Sequence, residues 1–448
     1  MKKALSIAGS DSSAGAGIQA DIKTFSALGL YGTTVITVLT AQNTKIVSDI
    51  LVVPSKFFRN QLVDTINDIQ PNVAKLGVLY DNSIIDIVYE TLSSNNFPIV
   101  VDPVLVSGTG IKLLRDESFD NYVKKIIPLS HVITPNLKEA EIISGLKIQS
   151  QKEAIKAAER IMEFGAQNVI IKGIGLGDDE IIDILLEKHN NQITRASNKR
   201  LGINDTHGTG CNFSSSLSSF IAKGYSIKRS FQLANSFVAE ALANSTKLGS
   251  GINITNPLQN MYINSCRYRI LSLLQKTVRK LEKLKHLYLL IPETKTNFVF
   301  CIENPANSMD VAGVLGRISN VGKAIRTPNV VEFGSSHHLS NAIIEANRFN
   351  VSLRSVINIK NNKRILDICK RNFSCSYYNR KDEPLGDRLK EGSTIKWGIS
   401  SAFRKAPEAE VVFHDGDYGK EPMILIYGND PQDVYNKVKL VLSNLQRT

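Results

Sequence analysis

Asn204-Asp205-Thr206-His207-Gly208-Thr209-Gly210-Cys211 runs straight into a small-residue segment of helical spacing, Asn212 to Ala222. A glycine turn that opens a helix aims unpaired backbone N–H groups and the positive end of the helix dipole at one point, where an anion can be held. Cys211 sits at that point. A thiol beside a helix N-terminus loses its proton more readily than a free thiol of pKa about 8.5, which suits it to act as a base next to a bound phosphate. The chemistry this points to is phosphoryl transfer to a hydroxyl. The same residues also fit a tight connection followed by a small buried thiol.

The elements that would position such a site are legible upstream. Lys3 to Ala8 is a short apolar run ending in Gly9-Ser10-Asp11-Ser12-Ser13-Ala14-Gly15-Ala16-Gly17, and Ile18 to Phe25 continues with helical spacing. Strand, glycine loop and helix place polar side chains and bare backbone at the carboxyl edge of a parallel sheet. Val35 to Leu39 is a β-branched strand, followed by Ala41-Gln42-Asn43-Thr44. The Gln42 amide both donates and accepts, which matches an aminopyrimidine edge, although a glutamine after a strand also serves as a turn residue. Asp102 closes the apolar strand Ile99 to Val101, and Lys172 follows the apolar strand Asn168 to Ile171.

Together with Val101-Asp102-Pro103-Val104 and Thr134-Pro135-Asn136-Leu137-Lys138-Glu139-Ala140-Glu141, these segments resemble the hydroxymethylpyrimidine and phosphomethylpyrimidine kinases, five motifs in order between residues 8 and 211. The resemblance implies an α/β, ribokinase-like fold with a central, mostly parallel sheet flanked by helices. It also implies two successive phosphorylations of 4-amino-5-hydroxymethyl-2-methylpyrimidine by ATP with Mg2+. Carried over, it makes Asp21 and Gln42 the pyrimidine contacts, Gly208, Thr209 and Gly210 the anion hole, and Cys211 the base. Lys172 would approach the donor phosphates, although Lys172-Gly173-Ile174-Gly175 interrupts the family's glycine pair. Asn136 and Glu139 match an element that organises magnesium, a hard cation that takes oxygen ligands. Asn136 with Glu139 three residues on also reads as a helix start. Asp102 is assigned to magnesium or phosphate placement, or to a plain turn.

At 448 residues the chain is too long for one such kinase, so two domains are expected. Hydrophobic content of 42% with 21% charged residues is that of a folded globular protein. No apolar run approaches the ~20 residues of a membrane helix, so no membrane partner and a cytoplasmic location are expected. The five cysteines show no CxxC pair, which gives no sign of a zinc site or disulfide framework. Net charge is +12, and the densest basic stretch, Arg267 to Lys285, interleaves its cations with leucines at near-helical spacing. It reads as an amphipathic connector, and without an aromatic stripe or RNA-binding motif no nucleic-acid partner is expected. The expected division is a kinase domain over 1–258, a connector helix over 259–289 and a smaller second α/β domain over 290–448.

That second domain carries four polar clusters, Gly313 to Ile318, Gly334 to His338, Gly392 to Gly398 and His414 to Pro422. Glycine beside arginine, serine, histidine and lysine suits phosphate recognition. The clusters resemble the thiamine-phosphate synthase domain fused behind this kinase in many archaea. The resemblance implies coupling of the pyrimidine pyrophosphate to a thiazole phosphate, yielding thiamine monophosphate and pyrophosphate. Arg317 and His338 match its functional residues, with Ser335, Ser336, His337 and Lys420 as phosphate or pyrophosphate contacts. The alternatives are that Arg317 merely pairs with a surface carboxylate, or that the domain senses thiamine phosphates without turning them over. A pyridoxal kinase is the rival for the first half. The partners expected are the small-molecule substrates, with a homo-oligomer, as a dimer, expected from kinases of this fold.

Overall fold

Leu5 and Ile7 enter one hydrophobic core and Ala4 enters another beside Phe25, so the first apolar run is buried on both sides. Such a strand belongs in the middle of a sheet covered by helices on both faces. The computed structural model describes residues 1–107, 110–176, 180–199, 206–384, 393–417 and 420–447. They form two units, Met1–Tyr262 and Ile263–Thr448.

In the first unit the elements are β1 (Lys3–Asp11), α1 (Gly17–Ala27), β2 (Tyr31–Gln42), β3 (Val47–Val52), α2 (Ser55–Ile69), β4 (Val73–Leu76), α3 (Asn82–Leu92) and β5 (Ile99–Val101). There follow α4 (Phe119–Leu129), β6 (Val132–Ile133), α5 (Leu137–Ser144), α6 (Gln151–Glu163), β7 (Asn168–Leu176), β8 (Glu180–Glu187) and β9 (Gln192–Lys199). The unit closes with β10 (Thr206–His207), α7 (Thr209–Ala222), α8 (Ile227–Ala243) and β11 (Asn253–Ile254). Nine strands make one sheet in the order β3-β2-β1-β4-β5-β6-β7-β8-β9. The run from β2 to β7 is parallel, and β3, β8 and β9 are antiparallel additions at the edges. This is the mostly parallel, helix-flanked sheet that the sequence implied. The order reverses at β1, and in such sheets ligands bind outside the carboxyl ends at that reversal.

Two local expectations shift. β1 continues through Gly9 and Ser10 to Asp11, so the loop proper is only Ser12 to Ala16. β7 likewise runs on to Leu176, with its register broken between Ile171 and Ile174, which accommodates Gly173 at φ +81°. Gly177, Asp178 and Asp179 of the following loop lie outside the described residues, as do Asn204 and Asp205.

Helix α9 (Gln259–Glu282) carries the basic stretch. Ile270, Leu274, Val278 and Leu281 lie in the core of the second unit, while Lys276, Arg279, Lys280 and Lys283 stay exposed. An apolar stripe on one side and cations on the other is the ordinary pattern of a helix that walls a core. The helix ends at Glu282, and a short 3-10 turn, Leu287–Leu290, takes over before the sheet.

The second unit is built on β12 (Phe298–Cys301), β13 (Val311–Val314), β14 (Ser319–Val321), β15 (Ala324–Arg326), β16 (Val331–Phe333), α10 (His337–Phe349), β17 (Ser355–Lys360) and α11 (Lys363–Asn372). Next come β18 (Cys375–Tyr377), α12 (Ser393–Lys405), β19 (Val411–His414), β20 (Met423–Gly428) and α13 (Pro431–Arg447). Its seven-stranded sheet has the order β16-β13-β12-β17-β20-β19-β18 and is antiparallel except between β18 and β19. By that register the carboxyl ends of β13 and β19 and the amino end of β20 share one edge. Among the described residues no helix is long and apolar enough to cross a membrane.

Candidate functional site

A cavity of about 550 Å3 follows the carboxyl edge of the nine-stranded sheet. Gly9, Asp11, Thr40 and Gln42 line it on the β1–β2 side, and Lys172, Asp183, Asn198 and Asn235 on the β7–β9 side. Asp102 and the start of α7, Gly208 to Cys211, lie on its wall as well.

The glycine loop is shaped by one carboxylate. Asp11 Oδ1 accepts from Ser13 N (2.8 Å) and Ser13 Oγ (2.7 Å), and Oδ2 accepts from Gly15 N (3.1 Å) and Ala16 N (2.8 Å). His207 Nε2 lies 2.9 Å from Asp11 Oδ2 and 2.9 Å from Gln42 Nε2. Burial alone would raise the Asp11 carboxyl, but the hydrogen bonds from His207, Ser13 and Ala16 outweigh it and hold the pKa at about 2. A Cβ on Gly15 would sit 2.2 Å from His207 Cδ2, and one on Gly208 would sit 2.0 Å from the Gly15 carbonyl oxygen. The two glycine segments therefore interlock, backbone against backbone, and no larger residue fits at either place.

Gly208 takes φ +91° as the residue before α7, and no side chain caps the helix. The N–H groups of the first turn therefore have no partner within the helix. Thr209 Oγ1 pairs with Thr206 Oγ1 at 2.8 Å, and Cys211 shows only part of its surface. The expected ease of ionisation does not hold. Burial, with Asp21 and Asp102 adding negative charge, pushes the Cys211 thiol up to about 11, even though Lys75 and the Gly17 N–H pull the other way. Helix-end stabilisation is worth at most about 2 kcal/mol, and desolvation exceeds it here.

Asp21 does not line the cavity, which corrects its expected contact with the pyrimidine. It is fully buried, and its oxygens accept from Ser6 Oγ (2.5 Å), Ser215 Oγ (2.6 Å) and Lys75 Nζ (3.0 Å to each oxygen). Lys75, which sequence reasoning passed over, does face the cavity. Its signal was a lone lysine in the otherwise apolar strand Val73–Leu76.

Asp102 Oδ1 lies 3.3 Å from Lys172 Nζ, and Oδ2 accepts from Ser214 Oγ at 3.1 Å. Burial opposes its charge, but Lys172 and Lys75 hold it below the usual carboxylate range. Asn136 and Glu139 form the capping box of α5: Glu139 N donates to Asn136 Oδ1 (3.0 Å) and Asn136 N to Glu139 Oε2 (2.9 Å). Both still line the cavity. Burial, then the Asp102 charge, pushes Glu139 up to about 8. Two buried carboxyls competing for the field of Lys172 fit a hard divalent cation, which would relieve that repulsion. Among the described residues no three His, Cys, Asp or Glu side chains converge on one point, so such a cation would draw on few protein ligands.

On the β7–β9 side, Asp183 accepts from Gly173 N (2.8 Å) and from Asn235 Nδ2 (2.6 Å), and Asn235 Oδ1 accepts from Asn198 Nδ2. This polar relay fixes the backbone next to Lys172. It ties the consecutive strands β7, β8 and β9 to the more distant α8, and no local pattern announces it.

In the second unit, Arg317, His338 and Lys420 come together. His338, in the first turn of α10, is held below the usual histidine range by desolvation and by the charges of Arg317, Lys420, His337 and Arg380. Arg317 adopts φ +66°, and its Nη1 donates to the Thr294 carbonyl at 2.7 Å; it pairs with no carboxylate among the described residues. Glu421 accepts from Glu293 N, Thr294 N and Thr294 Oγ1, each at 2.9 Å, which holds that carbonyl in place. Ser336 precedes α10, and Ser335 Oγ donates to Glu332 O at 3.0 Å; His337 is exposed. Lys420 sits in a turn closed with Asp417 by hydrogen bonds of 2.8 and 3.0 Å. Gly392, Tyr418 and Gly419 of the sequence clusters lie outside the described residues. Arg380, and His414 pushed down to about 4 by burial and by Arg380, were not singled out as site residues from sequence.

The profile of the family described as phosphomethylpyrimidine kinase matches residues 11–256, and that described as thiamine-phosphate synthase ThiN matches 273–440. The bifunctional thiamine biosynthesis protein ThiDN of Methanocaldococcus jannaschii is 30% identical over 98% of this chain and 97% of its own length. The hydroxymethylpyrimidine/phosphomethylpyrimidine kinase of Bacillus subtilis is 41% identical over 57% of this chain and 94% of its own. Among solved structures, Staphylococcus aureus pyridoxal kinase in complex with AMP-PCP and pyridoxal is 34% identical, covering 57% of this chain and 94% of that one, with a TM-score of 0.52.

Proposed function

Because the chain belongs to the phosphomethylpyrimidine kinase family and carries a thiamine-phosphate synthase domain behind the kinase, we propose that it makes thiamine monophosphate in two stages. The first phosphorylates 4-amino-5-hydroxymethyl-2-methylpyrimidine and then its monophosphate with ATP. The second couples the resulting pyrophosphate to 4-methyl-5-(2-phosphoethyl)thiazole and releases pyrophosphate. The observation that carries the kinase stage is a single cavity lined by Gln42, Cys211, Asp102 and Lys172. Likeness to a two-activity relative across 98% of the chain favours a catalytic second half over a sensor.

We assign the kinase to 1–258 and the synthase to 290–448 together with the α9 residues that complete its core. Gln42 meets the aminopyrimidine edge. The backbone N–H groups of Gly208, Thr209 and Gly210 hold the transferring phosphate at the positive end of α7, where developing charge is stabilised without reorganisation. Lys172 neutralises donor oxygens, and Cys211 takes the hydroxyl proton. Asp102 and Glu139, with Asn136 orienting Glu139, would hold magnesium, which when bound screens the charge on the phosphate oxygens. In the second half, Arg317 and Lys420 clamp the pyrophosphate, with Ser335, Ser336 and His337 at the start of α10. His338, its proton affinity lowered by desolvation and by the cations around it, donates a hydrogen bond to the departing group or carries a proton.

Reciprocal single substitutions in the full chain test this division. C211A is expected to lose both phosphorylations and still couple supplied pyrimidine pyrophosphate, and R317A to do the reverse. Equal loss of both half-reactions in either variant refutes the assignment.

A further inference from the structure

Burial leaves the Cys211 thiol difficult to ionise, so whatever lets it act as a base must be close and charged. Cys211 borders one cavity with Lys75 of β4, Asp102 at the end of β5 and Gly17, and it feels the charges of Lys75, Asp21 and Asp102 and the Gly17 N–H. Of these only Lys75 is a cation. Cys211 and Ser215 stand one turn apart on the same side of α7. Ser215 Oγ donates to Asp21 Oδ1 at 2.6 Å, and Lys75 Nζ donates to both oxygens of Asp21 at 3.0 Å. Ser6 Oγ completes the shell from β1. Both side chains of the Lys75–Asp21 pair are wholly shut off from solvent, yet Lys75 borders the same cavity as Cys211. Gly77 keeps room for it, since a Cβ there would lie 3.2 Å from Nζ.

Resting on the reading of Cys211 as the proton acceptor, we propose that Lys75 is a positioning residue for phosphoryl transfer: its ammonium, clamped by Asp21, is the fixed counter-charge that lets Cys211 carry a thiolate. In the transfer the substrate O–H bond breaks and its proton goes to Cys211 Sγ. The oxygen's electron pair forms the new O–P bond as the bond between the γ-phosphorus and ADP breaks. A buried ion pair is weak evidence for stability on its own account, because desolvation offsets the attraction. A role in charging the neighbouring thiol explains why such a pair stands under the first turn of α7. Asp21 accordingly fixes where the ammonium sits, and an asparagine there still offers it a carbonyl oxygen.

Replacing Lys75 alone would leave Asp21 charged and unpaired, so the test uses D21N and the isosteric neutral pair D21N/K75M, each checked for native circular dichroism. Full-length protein without substrates is treated with iodoacetamide from pH 7 to 11, and alkylation is read at the Cys211 peptide by mass spectrometry, apart from the exposed Cys266. Removing the carboxylate while keeping the ammonium is expected to speed Cys211 alkylation at pH 8 by about tenfold or more, one pKa unit. Removing the ammonium as well is expected to reverse that gain. A purely structural role would loosen the site in both variants alike. Coincident pH–rate curves for the two variants overturn the assignment, whatever the kinase assays give. Retained kinase activity in C211A would instead remove the base role, independently of the alkylation result.

Discussion

Gly208→Ala is the sharpest perturbation the kinase half offers. Two costs separate cleanly there. The backbone stands at φ +91°, which costs a non-glycine residue about 1–2 kcal/mol. The new Cβ would also fall 2.0 Å from the Gly15 carbonyl oxygen. Real Cβ atoms essentially never approach closer than 3.0 Å, so one of the two loops must retreat by about 1 Å. A shift of that size in groups that hold a reacting phosphate costs on the order of 10²-fold in rate, equivalent to about 2.7 kcal/mol. Gly224→Ala supplies the control, since it stands at φ +89° past the far end of α7 with nothing within 4 Å of its Cβ. ATP-dependent phosphorylation of the pyrimidine monophosphate is measured for both, with coupling by the second half as an internal standard for folded protein. The expected result is a loss of about 10²-fold in G208A with coupling intact, and a near-normal rate in G224A. A kinase rate in G208A within threefold of the parent, or an equal loss in G224A, refutes the argument from displacement.

The native chain holds a proton on Glu139 up to about pH 8 that an unfolded carboxyl gives up near 4.5, so this residue's contribution to stability falls as pH rises across that window. Thermal unfolding of E139Q from pH 5 to 9 should show a flatter profile than the parent, and parallel profiles would discard the assignment. A fragment beginning at residue 285 lacks Ile270, Leu274, Val278 and Leu281, each worth roughly 1.5–3 kcal/mol of burial, against a typical total stability of about 5–15 kcal/mol. It should fail to unfold cooperatively in urea, whereas a fragment beginning at residue 263 should do so; matching midpoints would count against the packing of α9.

What the sequence revealed was whatever is encoded locally. A glycine turn before a small-residue helix announced α7, and apolar runs announced β1, β5 and β7, because turn chemistry and burial act over a few residues. The strand ends proved longer, since pairing with β2 carries β1 on to Asp11 through residues that read as loop. The three-way contact of Asp21, Lys75 and Ser215 is hidden for a different reason. Lys75 and Ser215 stand 54 and 194 positions from Asp21 in the chain, so nothing near Asp21 tells that its oxygens are already taken. The Cys211 thiol failed in the same way. The helix end that favours its ionisation is visible locally, while the burial that overrides it comes from the whole sheet. Asp183, Asn198 and Asn235 likewise come together only once β8, β9 and α8 are assembled.

The interlock of the two glycine loops also bears on synthesis. Asp11 and His207, which meet across it, are 196 positions apart, so their contact closes a very long chain loop. A ribosome must deliver all of β1 to β9 and the start of α7 before Gly208 can settle against Gly15. A nascent chain that has emerged only as far as β9 already has its glycine loop and Gln42, but not the turn at Gly208 or Cys211. On the roles proposed for Gly208 and Cys211, a nascent chain that stops short of α7 is expected not to phosphorylate, whereas one that has passed the end of the first unit already holds every part of the kinase.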